Sequence, residues 1–144
     1  ATVFAVFGTA ALAQTMTSRM SSTAKLSLGI SAEALGLIAL VIGMHTLSLP
    51  IFLVGGVVAG IGAGVLFKAA VGAVAAMAAP AERSEALAGL FLISYLGLGI
   101  PAVGIGIATL SMSATAAMTG LAAIVLVLLL AVATLARRAS ATPR

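Results

Sequence analysis

Cysteine is absent from the 144 residues, tryptophan is absent, aromatic residues make up 4%, and only 7% of the chain is charged. The missing cysteine removes disulfide frameworks, thiolate metal sites and thiol nucleophiles together. A single histidine is too little for a metal cluster. The scarcity of charge excludes more, because a soluble globular chain carries about 25% charged residues and needs them for its surface. A chain that is 62% apolar has to meet an apolar solvent, and that solvent is lipid. The net charge of +4 does not point to nucleic acid, since the basic residues are scattered between hydrophobic segments and not clustered among aromatics. No enzyme site is legible either: the chain has no paired carboxylates on one face and no set of Ser, His and acid. The Gly60, Gly62, Gly64 run lacks the strand and the Lys-Ser/Thr pair of a phosphate-binding loop. No cofactor and no metal are expected.

What is present is a series of apolar stretches separated by charges and prolines. They run from Ala1 to about Met16, Leu26 to His45, Ile51 to Ala78, Ala86 to Thr109 and Ala116 to Ala136. About 20 residues cross a 30 Å hydrocarbon core, so the last four are long enough and the first is short. Backbone polar groups in lipid must be satisfied within the protein, which makes each stretch a helix. The fold class expected is an all-α integral membrane bundle of about five transmembrane helices, with residues 1–144 forming one transmembrane domain and 137–144 a tail. An odd count with a short first member is what a fragment would show.

The basic residues set an orientation. Arg19 and Lys25 lie between the first two stretches, Arg83 between the third and fourth, and Arg137, Arg138 and Arg144 after the fifth. The alternate connections, 46–50 and 110–115, carry no Lys or Arg. With five crossings all the basic segments fall on one side, and short cytoplasmic loops are the ones that retain Lys and Arg. The tail is therefore expected in the cytoplasm.

Several polar or small residues interrupt the apolar runs. Gly56, Gly60, Gly64 and Gly72 recur at multiples of four, a spacing that lets helix backbones approach in lipid; a packing face and a conformational role are both open. Lys68 continues that row about ten residues from the cytoplasmic helix end, roughly 15 Å deep. It either faces a water-filled cavity or a partner, or snorkels to the headgroups. Glu33 is the one acid inside a stretch. If its helix starts near Leu26 it is a proton-carrying candidate within the membrane; if near Ser31 it merely favours the positive end of the helix dipole. Ser94, Tyr95, Gly97 and Pro101 weaken the fourth stretch, where proline frees a carbonyl one turn earlier, either in a kinked helix lining a substrate path or in an ordinary kinked one. His45 is expected at the wet interface with no role, and Glu82, Arg83 and Glu85 in a solvated turn capping the next helix.

The run GIGAGVLFKAAVGAVAAMAAPAERSEALAGLFLISYLGLGIPAVGIGIA, Gly60 to Ala108, resembles the tenth and eleventh helices of major facilitator superfamily transporters with their short cytoplasmic loop. A glycine-rich helix there ends in a Pro-x-Glu-Arg-like turn, here Pro80 to Arg83, before a helix with Gly-x-x-x-Pro, here Gly97 to Pro101. On this register the stretches correspond to helices eight to twelve. Arg19 and Lys25 stand for the basic loop signature after helix eight, although Ser18 replaces its acid and Ser21 its glycine. LISYLGLGIP is similar to bacterial drug-efflux-like members. The resemblance implies proton-coupled secondary transport of a small molecule, with Lys68 facing the central cavity and Glu33, Tyr95 and Ser94 on the substrate or proton pathway. It also implies a bacterial inner membrane, and an N-terminal half of the same transporter as structural partner. A reading of another class is a non-transporting membrane scaffold that docks partner helices through its glycine faces.

Overall fold

The structure, a computed structural model, describes residues 20–141. Four helices make up nearly all of it: α1 (Ser22–His45), α2 (Leu49–Met77), α3 (Arg83–Ala108) and α4 (Ala114–Ala141). All four contain segments long and apolar enough to cross a membrane, as expected for the last four stretches. The first stretch, with Arg19, and the terminal Arg144 lie outside the described residues.

Local chemistry sets the helix ends. The Ser21 hydroxyl caps α1 by accepting from the Ala24 amide at 3.3 Å, satisfying one of the first-turn donors that a helix cannot pair internally. The α1–α2 turn is short. Thr46 returns its amide to Ile42, and Leu47 takes a left-handed conformation, φ 52°, so that Ser48 donates to the Gly43 carbonyl at 2.9 Å. Pro50 in the first turn of α2 loses an amide that has no partner there anyway. Glu82 holds the cap position of α3 without a side-chain cap bond, and Glu85 lies in its first turn. Helix α4 continues through Arg137 and Arg138 to Ala141, beyond the residue-136 boundary that hydropathy marks.

Helix α1 packs on α2 and α4, and α3 on α2 and α4. The α1–α2 contact is by far the most extensive. Consecutive helices are antiparallel. His45 at the end of α1 meets Thr119 near the start of α4 at 3.2 Å, and Phe67 in the second half of α2 meets Phe91 in the first half of α3, ring centroids 5.7 Å apart. Lys25, Arg83, Arg137 and Arg138 consequently share one end of the bundle. Among the described residues the few buried apolar side chains are Ala59, Val65, Ala117, Ala122 and Leu129, mostly small, as close packing in lipid requires. Large apolar side chains such as Leu98, Ile100, Ile107 and Leu130 point outward, each more than 60% exposed, which suits a hydrocarbon surrounding.

Candidate functional site in the α1–α2 seam

Glycine recurs every seven residues along α1, at Gly29, Gly36 and Gly43, and all three are buried. Helix α2 answers with Gly55 and Gly62, also buried and seven apart. A methyl group built on Gly36 would stand 2.6 Å from Ala59 Cα, one on Gly43 2.7 Å from Phe52 Cα, and one on Gly29 2.7 Å from Leu66 Cγ. From the other side, a methyl on Gly55 would lie 2.9 Å from the Gly36 carbonyl oxygen, and one on Gly62 2.7 Å from Glu33 Cα. Each glycine thus receives a larger residue of the opposite helix, and the glycines alternate between helices at steps of three and four. Every step of seven up α1 is matched by a step of seven down α2. This is a seven-residue knobs-into-holes seam, the period of left-handed helix pairs, drawn in until backbone touches backbone.

Along α1 the seam positions facing the α2 glycines are Glu33, against Gly62, and Leu40, against Gly55. Glu33 therefore occupies a place where its equivalent is a leucine. Helix α1 begins at Ser22 with no acid in its first turn, so the dipole reading of Glu33 is set aside. Eleven residues of α1 precede it, roughly 17 Å at 1.5 Å per residue, which is the middle of the span. One carboxyl oxygen, Oε2, is buried with no hydrogen-bond partner, and the Ala63 backbone is a polar neighbour. A buried oxygen without a partner is costly, of order 1–3 kcal/mol, and its position in the middle of an apolar helix makes Glu33 the candidate site.

The other residues singled out in the sequence lie elsewhere. Lys68 is half-buried and two positions past the seam residue Leu66, about 200° around the helix, on the side of α2 turned from α1. Ser94 is half-buried and spends its hydroxyl proton on the Leu90 carbonyl at 2.7 Å; Tyr95 is 70% exposed. Both are on α3, which packs on α2 and α4, and neither is among the residues that meet the seam glycines. Pro101 sits inside an α3 that stays helical on both sides of it, and Gly97 is open, with nothing within 4 Å of an added methyl. Gly56 has only Leu40 Cδ2 nearby, at 3.8 Å, and Gly72 has nothing, while Gly60 and Gly64 are half-buried. The closest approach on α2 is made at Gly55 and Gly62, which the four-residue row does not include. His45 donates from Nε2 to the Thr119 hydroxyl, whose own proton goes to the Thr115 carbonyl at 2.7 Å. It is an interhelical tie that depth alone did not reveal. Among the described residues no group of His, Asp or Glu is arranged to hold a metal ion.

No family model, curated protein or solved structure matches the chain. The likeness to major facilitator transporters therefore rests on the sequence motifs alone, those between Gly60 and Ala108 and the basic pair Arg19 and Lys25.

Proposed function

We propose that this chain belongs to a secondary active transporter of the major facilitator type, moving a small molecule by alternating access with protons as the coupling ion. The observation that carries the reading is the Glu33 carboxyl, held mid-span with a buried, unpartnered oxygen. A carboxyl in mid-membrane, with one oxygen left without a hydrogen-bond partner, is a group of the kind that serves as a station on a proton pathway. In this reading Glu33 carries the proton, and Lys68, Ser94 and Tyr95 belong to helices that border the substrate cavity, whose other wall is the N-terminal half of the transporter. The membrane is the bacterial inner membrane. The end bearing Lys25, Arg83, Arg137 and Arg138 faces the cytoplasm, following the positive-inside rule.

The test is flux in vesicles containing the full-length parent protein, with and without a protonophore. Glu33→Gln keeps the side chain's shape and removes its proton chemistry. Gradient-driven flux is expected to vanish in this variant while downhill exchange persists. Equal gradient-driven flux in wild type and Glu33→Gln would sink the proton assignment. Lys68→Ala, measured alongside, is expected to weaken substrate affinity without uncoupling the protons.

A scaffold reading is favoured by one observation, the open glycines of α3: Gly97, Gly99, Gly104 and Gly106 all have free space where a methyl would go, as a surface awaiting another helix would. A parent protein that carries no flux, and that loses a co-purifying membrane partner on Gly97→Leu with Gly104→Leu, would decide for the scaffold.

A further inference from the structure

At the basic end of the bundle α1 and α4 leave a groove of about 660 Å³ between them. Its α1 wall carries Thr23, Ser27, Ile30 and Ser31, and its α4 wall Ala133 and Arg137. Thr23, Ser27 and Ser31 are four residues apart and so form one row, about 12 Å long, from the helix start inward. Ser31 donates its proton to the Ser27 carbonyl at 2.8 Å, which seals the inner end of the row. Thr23 and Ser27 lie nearer the start of α1 than Ser31, and Arg137 lines the α4 wall in the last turns of that helix. Deeper in, Ile30 and Ala133 make the walls apolar. Among the described residues the lining contains no carboxylate; Glu82 and Glu85, at the same end, line a separate depression beside Met77 and Ala86.

A groove that is cationic and hydroxyl-bearing at the headgroup level and aliphatic below it has the polarity profile of one lipid molecule. We infer that it seats an anionic phospholipid, the phosphodiester held by Arg137 with the Thr23 and Ser27 hydroxyls, and the first part of an acyl chain lying along Ile30 and Ala133. A guanidinium presents a planar fork that fits two phosphate oxygens. A lipid with a headgroup ammonium would bring a second cation beside Arg137, so the groove favours a net negative lipid. The assignment is independent of whether the protein transports anything.

The test is native mass spectrometry of the full chain, purified with equal amounts of phosphatidylglycerol and phosphatidylcholine, with helicity monitored by circular dichroism. Phosphatidylglycerol is expected to be retained about fivefold over phosphatidylcholine, the weight of one basic residue at a membrane surface. Arg137→Gln should bring the ratio close to parity. Arg138→Gln, next in sequence but outside the groove lining, should leave it in place. Thr23→Val with Ser27→Ala, which leaves the charge untouched, should lower the ratio partway. Equal losses in the two arginine variants would reduce the effect to diffuse surface charge and overturn the site. Parity in the wild type would do the same, and displacement of the lipid by inorganic phosphate would make the groove a free-anion site instead.

Discussion

Helices α1 and α3 are both rich in glycine, and the two sets behave oppositely. In α1 every seventh residue from Gly29 to Gly43 is pressed against the backbone or side chains of α2, leaving no room for a methyl. In α3, Gly97 and Gly104 are also seven apart, as are Gly99 and Gly106, yet all four face open space, and the helix has no buried residue. Spacing alone therefore does not make a packing face. It becomes one when the opposite helix repeats the same period in antiparallel register, as Gly55 and Gly62 do for α1.

The contrast can be broken most directly with Gly36→Leu. A side chain that collides with the Ala59 backbone must force the helices apart, and a loss of about 3 kcal/mol or more is expected in detergent-unfolding experiments. Gly104→Leu, on the open row of α3, should leave the unfolding midpoint unchanged or raise it slightly through better helix propensity; an equal loss in both variants would erase the distinction. Glu33→Leu should act in the opposite direction. Leu40 and Leu66 already take seam positions opposite glycine, so a leucine fits and removes the unpartnered oxygen, adding about 1–2 kcal/mol of stability in the same unfolding assay. If Glu33 is the proton carrier, the stabilised protein should also have lost coupled flux, a trade familiar where function needs an uncomfortable group. Thr119→Val cuts the tie to His45 and should cost about 0.6 kcal/mol, typical of an interhelical hydrogen bond in lipid; a double-mutant cycle with His45→Phe isolates that term. The smallest effect is expected at Leu47, whose left-handed φ of 52° is strained for a branched residue. Leu47→Gly should relieve it for a gain of less than about 0.5 kcal/mol, seen as a small rise in the midpoint.

Much of the bundle is legible in the sequence. The stretch from Leu26 to His45 became Ser22–His45 and that from Ile51 to Ala78 became Leu49–Met77, because hydropathy locates the apolar body of a helix while its ends are set by caps and turns. Ser21 and Ser48, polar residues just outside the apolar runs, are where the helices begin. The depth of Glu33 hung on that start, and the Ser21 cap settles it. The seam itself was harder to see. Read one helix at a time, α2 offers several overlapping glycine rows, and Gly56, Gly60 and Gly64 are as regular as Gly55 and Gly62. Choosing between them takes the partner's pattern, since the register is a property of two helices together. The His45–Thr119 tie was out of reach for the same reason, joining positions 74 residues apart.

The matched sevenfold register has a mechanical consequence. If α1 slid along α2 by one helical turn, Gly36 would come to face Gly62 and Glu33 to face Leu66, leaving a void at one level and a collision at the next. Only a slide of a full seven residues, roughly 10 Å, would restore the fit, and in that direction it would drag the His45 end into hydrocarbon. The α1–α2 hairpin is thus indexed like a rack and its pinion with no intermediate notch. Whatever movement the protein undergoes, this pair travels as one stiff lever, and the motion is left to its looser joints with α3 and α4.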